Sequence, residues 1–247
     1  MSGYTYFADY YDDLIQNVNY KKLADYVLTI LKQENAPTGT ILDLACGTGS
    51  LSIELAKNGV DIIGVDSSCE MLSLAKDKAI NENLDILFIC QKMQELNICE
   101  PVDNIICTLD SLNHLKNFSE IERTFEKVSA FLKKGGYFIF DVNTLYKHEV
   151  VLGNNTFVYE TDNIFCVWQN YFNKKNGKVK IVLDFFEENN GVYNRESEEF
   201  FENAYEIDKI KKALENVNLQ VIHVYNDFTF GNPTNQSQRV SIVAKKN

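Results

Sequence analysis

The stretch Ile41-Leu42-Asp43-Leu44-Ala45-Cys46-Gly47-Thr48-Gly49-Ser50 decides how the rest of the chain is read. An apolar run interrupted by one acid meets two glycines, and the amphipathic segment Ser50 to Lys57 follows directly. This is the pattern of a buried strand turning sharply into a helix. Glycine supplies the turn because it takes positive φ and lets the backbone approach a ligand closely. Seventeen residues after Gly49, Asp66 ends the apolar run Ile62-Ile63-Gly64-Val65. A carboxylate at the tip of the second strand can accept both ribose hydroxyls of an adenosine group. Strand, glycine turn, helix, strand and acid at this spacing predict an adenosine-containing ligand at the carboxyl edge of a sheet.

Outward from this turn, short β-branched runs alternate with longer amphipathic segments, as in strands joined by crossover helices. Strands are expected over Thr40 to Ala45, Asp61 to Val65, Asp85 to Ile89, Asn104 to Thr108 and Tyr137 to Val142. Helices are expected over Ser50 to Lys57, Ser68 to Ile80 and Ser119 to Leu132, with Ser68 and Ser119 as N-caps and Gly135-Gly136 as the last stop. The first 35 residues look helical, and Tyr4, Tyr6, Phe7, Tyr10 and Tyr11 crowd their start.

After Asn143 the pattern changes. Four strand-like runs (Phe157 to Glu160, Phe165 to Phe172, Val179 to Phe186 and Val192 to Phe201) are broken by Asp162-Asn163, Asn176-Gly177 and Asn190-Gly191. Asn-Gly tolerates the positive φ of a type I′ hairpin turn, so residues 151–202 are expected to form an antiparallel insertion. A helix over Ile207 to Asn216 and strands over Gln220 to Asn226 and Arg239 to Lys245 return the chain to the main sheet. The main domain is then 1–150 with 203–247.

Composition narrows the partners. With 24 Lys and Arg against 35 Asp and Glu, the formal charge is −11, and no basic run is long enough to track a phosphate backbone. Nucleic acid is not an expected partner. The segment after Met1 lacks the order of a signal peptide, and no stretch approaches the roughly 18 apolar residues of a membrane span. A cytoplasmic protein without a membrane partner is expected. The six cysteines contain no C-x-x-C pair and have no histidines nearby, which argues against zinc. Most lie in or beside apolar runs, so they are read as reduced, small hydrophobes.

Asp43 separates the adenosine ligands. A dinucleotide would bring an anionic pyrophosphate to this turn, and a carboxylate on the strand before it would repel that charge. S-adenosylmethionine brings an ammonium and a sulfonium instead. Asp43 can attract the ammonium, while amides near Gly47 receive the methionine carboxylate. The alternative role of Asp43 is to bond backbone amides of the turn.

On these residues the chain resembles the class I S-adenosylmethionine-dependent methyltransferases. Asp43, Ala45, Gly47 and Gly49 match the first motif of that family, with Ala45 in place of its first glycine, and Asp66 matches its ribose-binding acid. The resemblance implies an α/β fold. It would be a doubly wound, Rossmann-like, mostly parallel sheet of seven strands with the last reversed, carrying the antiparallel insertion. It further implies S-adenosylmethionine as cofactor and a site that includes Tyr20, Ser67, Met71, Met93 and Leu109. The family's adenine-binding acid after the third strand is replaced by Lys92 in Cys90-Gln91-Lys92-Met93.

Leu109-Asp110-Ser111-Leu112-Asn113-His114 resembles the Asp-Ser-Leu-Asn stretch of a bacterial branch of the family. There it would lie beside the sulfonium and face a small-molecule methyl acceptor with a nitrogen or oxygen nucleophile. Methyl transfer is an in-line displacement, so alignment in a dry pocket supplies much of the acceleration. Where a general base is needed, Asp110 and His114 are the first candidates, and His148 follows. His223 lies in a strand pattern remote from the chemistry. No metal is expected. Trp168, Tyr171, Phe172, Tyr193, Arg195, Glu198 and Glu199 give the insertion the composition of either a substrate lid or a dimer interface, so monomer and homodimer stay open. A nicotinamide-dependent oxidoreductase and a non-catalytic S-adenosylmethionine-binding regulator are the alternatives.

Overall fold

The structure is a computed structural model that describes residues 18–160, 164–189 and 191–247. Tyr4, Tyr6, Phe7, Tyr10 and Tyr11 lie outside the described residues, as do Asp162, Asn163 and Asn190.

The chain runs α1 (Tyr20–Gln33), β1 (Ile41–Leu44), α2 (Ser50–Lys57), β2 (Ile62–Asp66), α3 (Cys69–Asn81), β3 (Leu87–Cys90), β4 (Val102–Cys107), α4 (Phe118–Phe131) and β5 (Leu132–Asn143). Strands β6 (Thr156–Glu160), β7 (Ile164–Asn173), β8 (Lys178–Asn189) and β9 (Val192–Asn203) follow, then α5 (Ile207–Glu215), β10 (Leu219–Asn226) and β11 (Arg239–Lys246). The main sheet has the order β10-β11-β5-β4-β1-β2-β3. β1 pairs in parallel with β2 and β4, whereas β11 is antiparallel to both β5 and β10. This is the expected sheet with one reversed strand.

Alternation along the central strands builds a core on each face, because successive side chains point to opposite sides. Leu42, Ile105, Phe138 and Phe140 pack on one face with Phe125 of α4 and Leu214 of α5. Ile41, Ile106, Ile139 and Val243 pack on the other, against Leu23 and Val27 of α1 and Leu55 of α2. Strands β6 to β9 form a separate antiparallel sheet. It has its own core of Leu152, Ile164, Cys166, Val179, Ile181, Leu183 and Phe185.

Three local expectations are corrected. α4 is capped by Asn117, whose side chain accepts the Glu120 amide at 3.1 Å, and Ser119 falls within the first turn. Gly135-Gly136 does not stop that helix. Leu132 is already extended and paired with Val102, so both glycines lie within β5. The cysteines are not all reduced, since Cys69 and Cys90 form a disulfide. Their separation of 21 residues hid the pairing; the register that sets Asp66 beside Cys90 brings the start of α3 to the end of β3.

Candidate active site

The glycine turn closes the end of β1. Gly47 and Gly49 have φ of 56° and 73°, and Gly49 caps α2 in the left-handed conformation. A Cβ on Gly49 would lie 2.8 Å from the Ala75 Cβ, whereas a Cβ on Gly47 would meet open space. Gly49 thus lets α2 and α3 pack closely, and Gly47 leaves room over the turn. Ala45 also adopts a positive φ, 64°, which explains why the related motif favours glycine there.

The two acids divide the work differently from one expectation. It is Asp66, not Asp43, that bonds the turn: its carboxylate accepts the Gly47 amide at 2.9 Å and the Ser68 amide at 2.8 Å. A carboxylate offers about four acceptor positions, so the amides of the turn leave Asp66 capacity for a ribose hydroxyl. Asp43 is 2% exposed and accepts one hydrogen bond among the described residues, from the Ser52 hydroxyl at 2.6 Å. Burial pushes its pKa up to about 7 against the pull of Ser52, with Asp66 adding to the rise.

The remaining expected residues surround this turn unequally. Tyr20 opens α1 and packs on the face that α1 covers. Ser67 is exposed, and Met71 is buried in the first turn of α3, its amide held by the Ser68 hydroxyl. Met93 packs against the main core. Lys92 is exposed and paired with Glu95, and no acid stands in its place to meet an adenine amino group.

At the end of β4 the backbone is strained. Leu109 and Asp110 both take left-handed φ, 57° and 54°, a conformation that costs about 1 to 3 kcal/mol for each such residue. Asp141, fully buried on β5, accepts both of their amides, at 2.6 and 2.8 Å. Hydrogen bonds to a charged acceptor contribute about 1.5 to 3 kcal/mol each, enough to hold the strained pair. Arg239 of β11 ties the corner together through ion pairs with Asp110 and Asp141. Burial raises the Asp110 carboxyl, but Arg239, then Lys147 and His114, outweigh it and hold Asp110 below the ordinary range.

The antiparallel sheet reaches this corner through the last two residues of β9, Glu202 and Asn203. Asn143 donates to Asp110 at 2.8 Å and to Glu202 at 3.0 Å. Glu202 is bonded in turn by His148 at 3.1 Å, and both side chains are buried. The Asn113 amide bonds the Asn203 carbonyl, and the Asn203 amide bonds the Leu115 carbonyl. Ligand atoms of Asp110, His114 and Glu202 lie within 4.8 Å of one another. The His114 ring meets Phe200 at 5.4 Å, and β4, which leads into this cluster, pairs directly with β1, which leads into the glycine turn. A cleft of about 460 Å³ opens beside it, lined by Lys147, Asn226, Thr234, Gln236, Gln238 and Arg239 among others.

Comparison with known proteins agrees with this geometry. Residues 41–136 match the model of a methyltransferase domain. The chain is 33% identical to YqeM of Bacillus subtilis (strain 168), which bears only a provisional methyltransferase name, over 98% of this chain and 97% of that protein. It superposes on an S-adenosylmethionine-dependent methyltransferase from Clostridium acetobutylicum ATCC 824 with a TM-score of 0.89, at 35% identity and covering all of both chains. The chain belongs to the class I S-adenosylmethionine-dependent methyltransferases. In fold alone it is also similar to the sugar N-methyltransferase KedS8 from Streptoalloteichus sp. ATCC 53650, with a TM-score of 0.79 at 17% identity over 96% of this chain and 92% of that one.

The cofactor suits the residues present. A buried, singly bonded Asp43 gains from an ammonium, and Asp66 has acceptor capacity left for a ribose. This is the environment of S-adenosylmethionine rather than of a pyrophosphate, which sets aside the oxidoreductase. Among the described residues, no helix of the methyltransferase is long and apolar enough to cross a membrane.

Several other side chains named from the sequence are exposed or have partners of their own. Tyr171 and Tyr193 are exposed, Arg195 bonds Asp184, and the Trp168 indole donates to Asn170. His223 pairs with Glu34 at 2.8 Å. Sequence reasoning missed Asp141, Arg239 and Glu202. An acid inside Tyr137-Phe138-Ile139-Phe140-Asp141-Val142 was a readable signal, since a buried charge needs partners. Glu202 carried no such local sign.

Proposed function

We propose that this methyltransferase acts on a small molecule bearing a nitrogen or oxygen nucleophile, seated between Asp110 and the end of the insertion. The observation that carries the reading is the convergence of Asp110, His114 and Glu202 at one point of the sheet edge. Two carboxylates there favour a cationic amine over a neutral group. The polar cleft beside Arg239 suits the hydroxyls of a hydrophilic acceptor. KedS8, similar in fold, is a sugar N-methyltransferase, in keeping with an amine acceptor.

The bound cofactor supplies a methyl group on a positively charged sulfur. The chain supplies alignment, exclusion of water and a destination for a proton. His114 is the group placed to take the proton that an ammonium or hydroxyl must lose before its lone pair attacks, while Asp110, held charged by Arg239, attracts an ammonium. Asp141 and Arg239 fix Asp110, and Asn143 joins it to Glu202. Cofactor residues Asp43, Ala45, Gly47, Gly49, Asp66, Ser67, Met71, Met93 and Leu109 belong to the same reading, with Tyr20 closing over them. Lys92 is its least supported member. The insertion is read as a lid over the acceptor, and the protein as a monomer or homodimer without a nucleic-acid partner.

The same three residues could be read as a metal site, but both Asp110 oxygens are engaged and one Glu202 oxygen already takes two partners. Arg239 and Asn143 take Asp110, while His148 and Asn143 take Glu202. Incubation of the enzyme with methyl-labelled cofactor and a cell extract tests the proposal. Label in the small-metabolite fraction is expected, and label chiefly in RNA or protein would refute a small-molecule acceptor.

A further inference from the structure

The Cys69–Cys90 disulfide stands where cofactor binding is concentrated. It joins the first residue of α3 to the last residue of β3, with Cα atoms 5.6 Å apart. Asp66 is the register partner of Cys90, and the Gln91 amide donates to the Asp66 carbonyl at 2.8 Å. The Ser68 amide, next to Cys69, donates to the Asp66 carboxylate. The bridge therefore links the segment carrying Ser67 and Met71 to the segment carrying Lys92 and Met93, on either side of the ribose acid.

Both cysteines are exposed, and β3 is the edge strand of the sheet. A disulfide open to solvent belongs to the reducible class rather than to buried structural staples. Opening it leaves the local fold its other supports. β3 keeps its pairing with β2, and α3 keeps its Ser68 cap. What is lost is the direct tie between the helix start and the strand end.

We propose that Cys69 and Cys90 form a redox-modification site that sets the affinity of the enzyme for S-adenosylmethionine. In the bonded form the two segments are held at their binding separation, so less freedom is lost when the cofactor enters. Reduction consumes two electrons from a dithiol. Its thiolate attacks one sulfur of the bridge, its second thiol resolves the mixed disulfide, and two cysteine thiols and one oxidised dithiol result. Oxidised glutathione reverses the exchange, taking up the electron pair as two glutathione thiols. The inference depends on the cofactor alone and is independent of what the methyl acceptor is.

Calorimetric titration with S-adenosylhomocysteine tests it on the full chain, after oxidised glutathione and after dithiothreitol, with the thiol state of each cysteine mapped by mass spectrometry. Affinity is expected to fall about three- to tenfold on reduction, by loss of preorganisation, and to recover on reoxidation. Cys69→Ser and Cys90→Ser should bind like the reduced protein in both buffers. Equal affinity in the two states, with only the Tm lowered by reduction, overturns the proposal in favour of a structural staple. Tighter binding after reduction, or failure of the pair to re-form under oxidised glutathione, overturns it as well.

Discussion

The carboxylate of Asp66 accepts the amide of Gly47 at 2.9 Å, across the space between β1 and β2. The acid proposed to meet the ribose thereby also shapes the glycine turn. Asp66→Ala removes a charged acceptor from both tasks and should weaken S-adenosylhomocysteine binding by about 1 to 3 kcal/mol, read by calorimetry. An unchanged affinity would take Asp66 out of the site.

Asp43 is expected to make cofactor binding depend on pH. Its pKa of about 7 lies above its ordinary value of 3.8, so the protonated form is favoured in the folded protein. The stability this contributes is full below about pH 4 and is lost as the pH climbs through about 7. Asp141, raised to about 6 chiefly by burial, loses its contribution over a lower range. An ammonium beside Asp43 selects the charged form instead. Affinity for S-adenosylhomocysteine should rise about tenfold per pH unit below 7 and level off above it. In Asp43→Asn the slope should vanish; a wild-type affinity flat from pH 5 to 8 would mean that Asp43 does not meet the cofactor's charge.

Asp141 holds two strained residues and a buried guanidinium, so its replacement should be severe. Asp141→Asn puts an amide where two backbone N–H groups point and leaves Arg239 short of an anion. Breaking a buried pair of this kind costs about 3 to 5 kcal/mol, which urea unfolding can measure. His223→Ala, which breaks a partly exposed pair with Glu34, should cost less than about 1 kcal/mol. Equal effects of the two changes would contradict this account of the corner.

The first half of the candidate site was legible because its residues are local in the chain. Asp43, Gly47, Gly49 and Asp66 lie within one strand-turn-helix-strand unit, where spacing along the chain fixes position in space. The insertion was legible for the same reason, since Asn176-Gly177 announces the hairpin where Gly177 has φ of 69°. Glu202 was not, because nothing near it distinguishes it from Glu198 or Glu199. Only the full antiparallel register of β8 and β9 brings it to Asn143 and His148. The Cys69–Cys90 bond escaped notice likewise, as a product of sheet register rather than of a motif. Asn117 was missed as a cap because Ser119, two residues on, is of an equally favoured cap type.

The engaged oxygens of Asp110 lead to a chelator test. Methyl transfer to the fraction labelled by the enzyme should be unaffected by prolonged dialysis against EDTA, because Arg239 already supplies the positive charge that a metal would bring. A loss of activity that divalent cations restore would convert the cluster into a metal site and displace the amine reading.

Glu202 separates a lid over the acceptor from a flap that merely joins two copies. It sits at the end of β9, yet its carboxylate is shared by Asn143 and His148 within 4.8 Å of the Asp110 and His114 ligand atoms. It has no contact with Asp43, Gly47 or Asp66 among its hydrogen bonds. Glu202→Gln keeps the shape and an acceptor oxygen while removing the charge. Affinity for S-adenosylhomocysteine should therefore stay within about twofold, under 0.5 kcal/mol. Label transfer to the small-metabolite fraction should fall about ten- to a hundredfold, by the 1.4 to 2.8 kcal/mol that a positioned charge contributes near a cationic acceptor. A positioning role further predicts a shifted pH profile of transfer, which a purely structural role would leave in place. If the insertion serves only association, sedimentation should instead show a change in mass for variants on its exposed face, such as Tyr193→Asp, while Glu202→Gln keeps full turnover. That second pattern would end the assignment of the insertion to the acceptor.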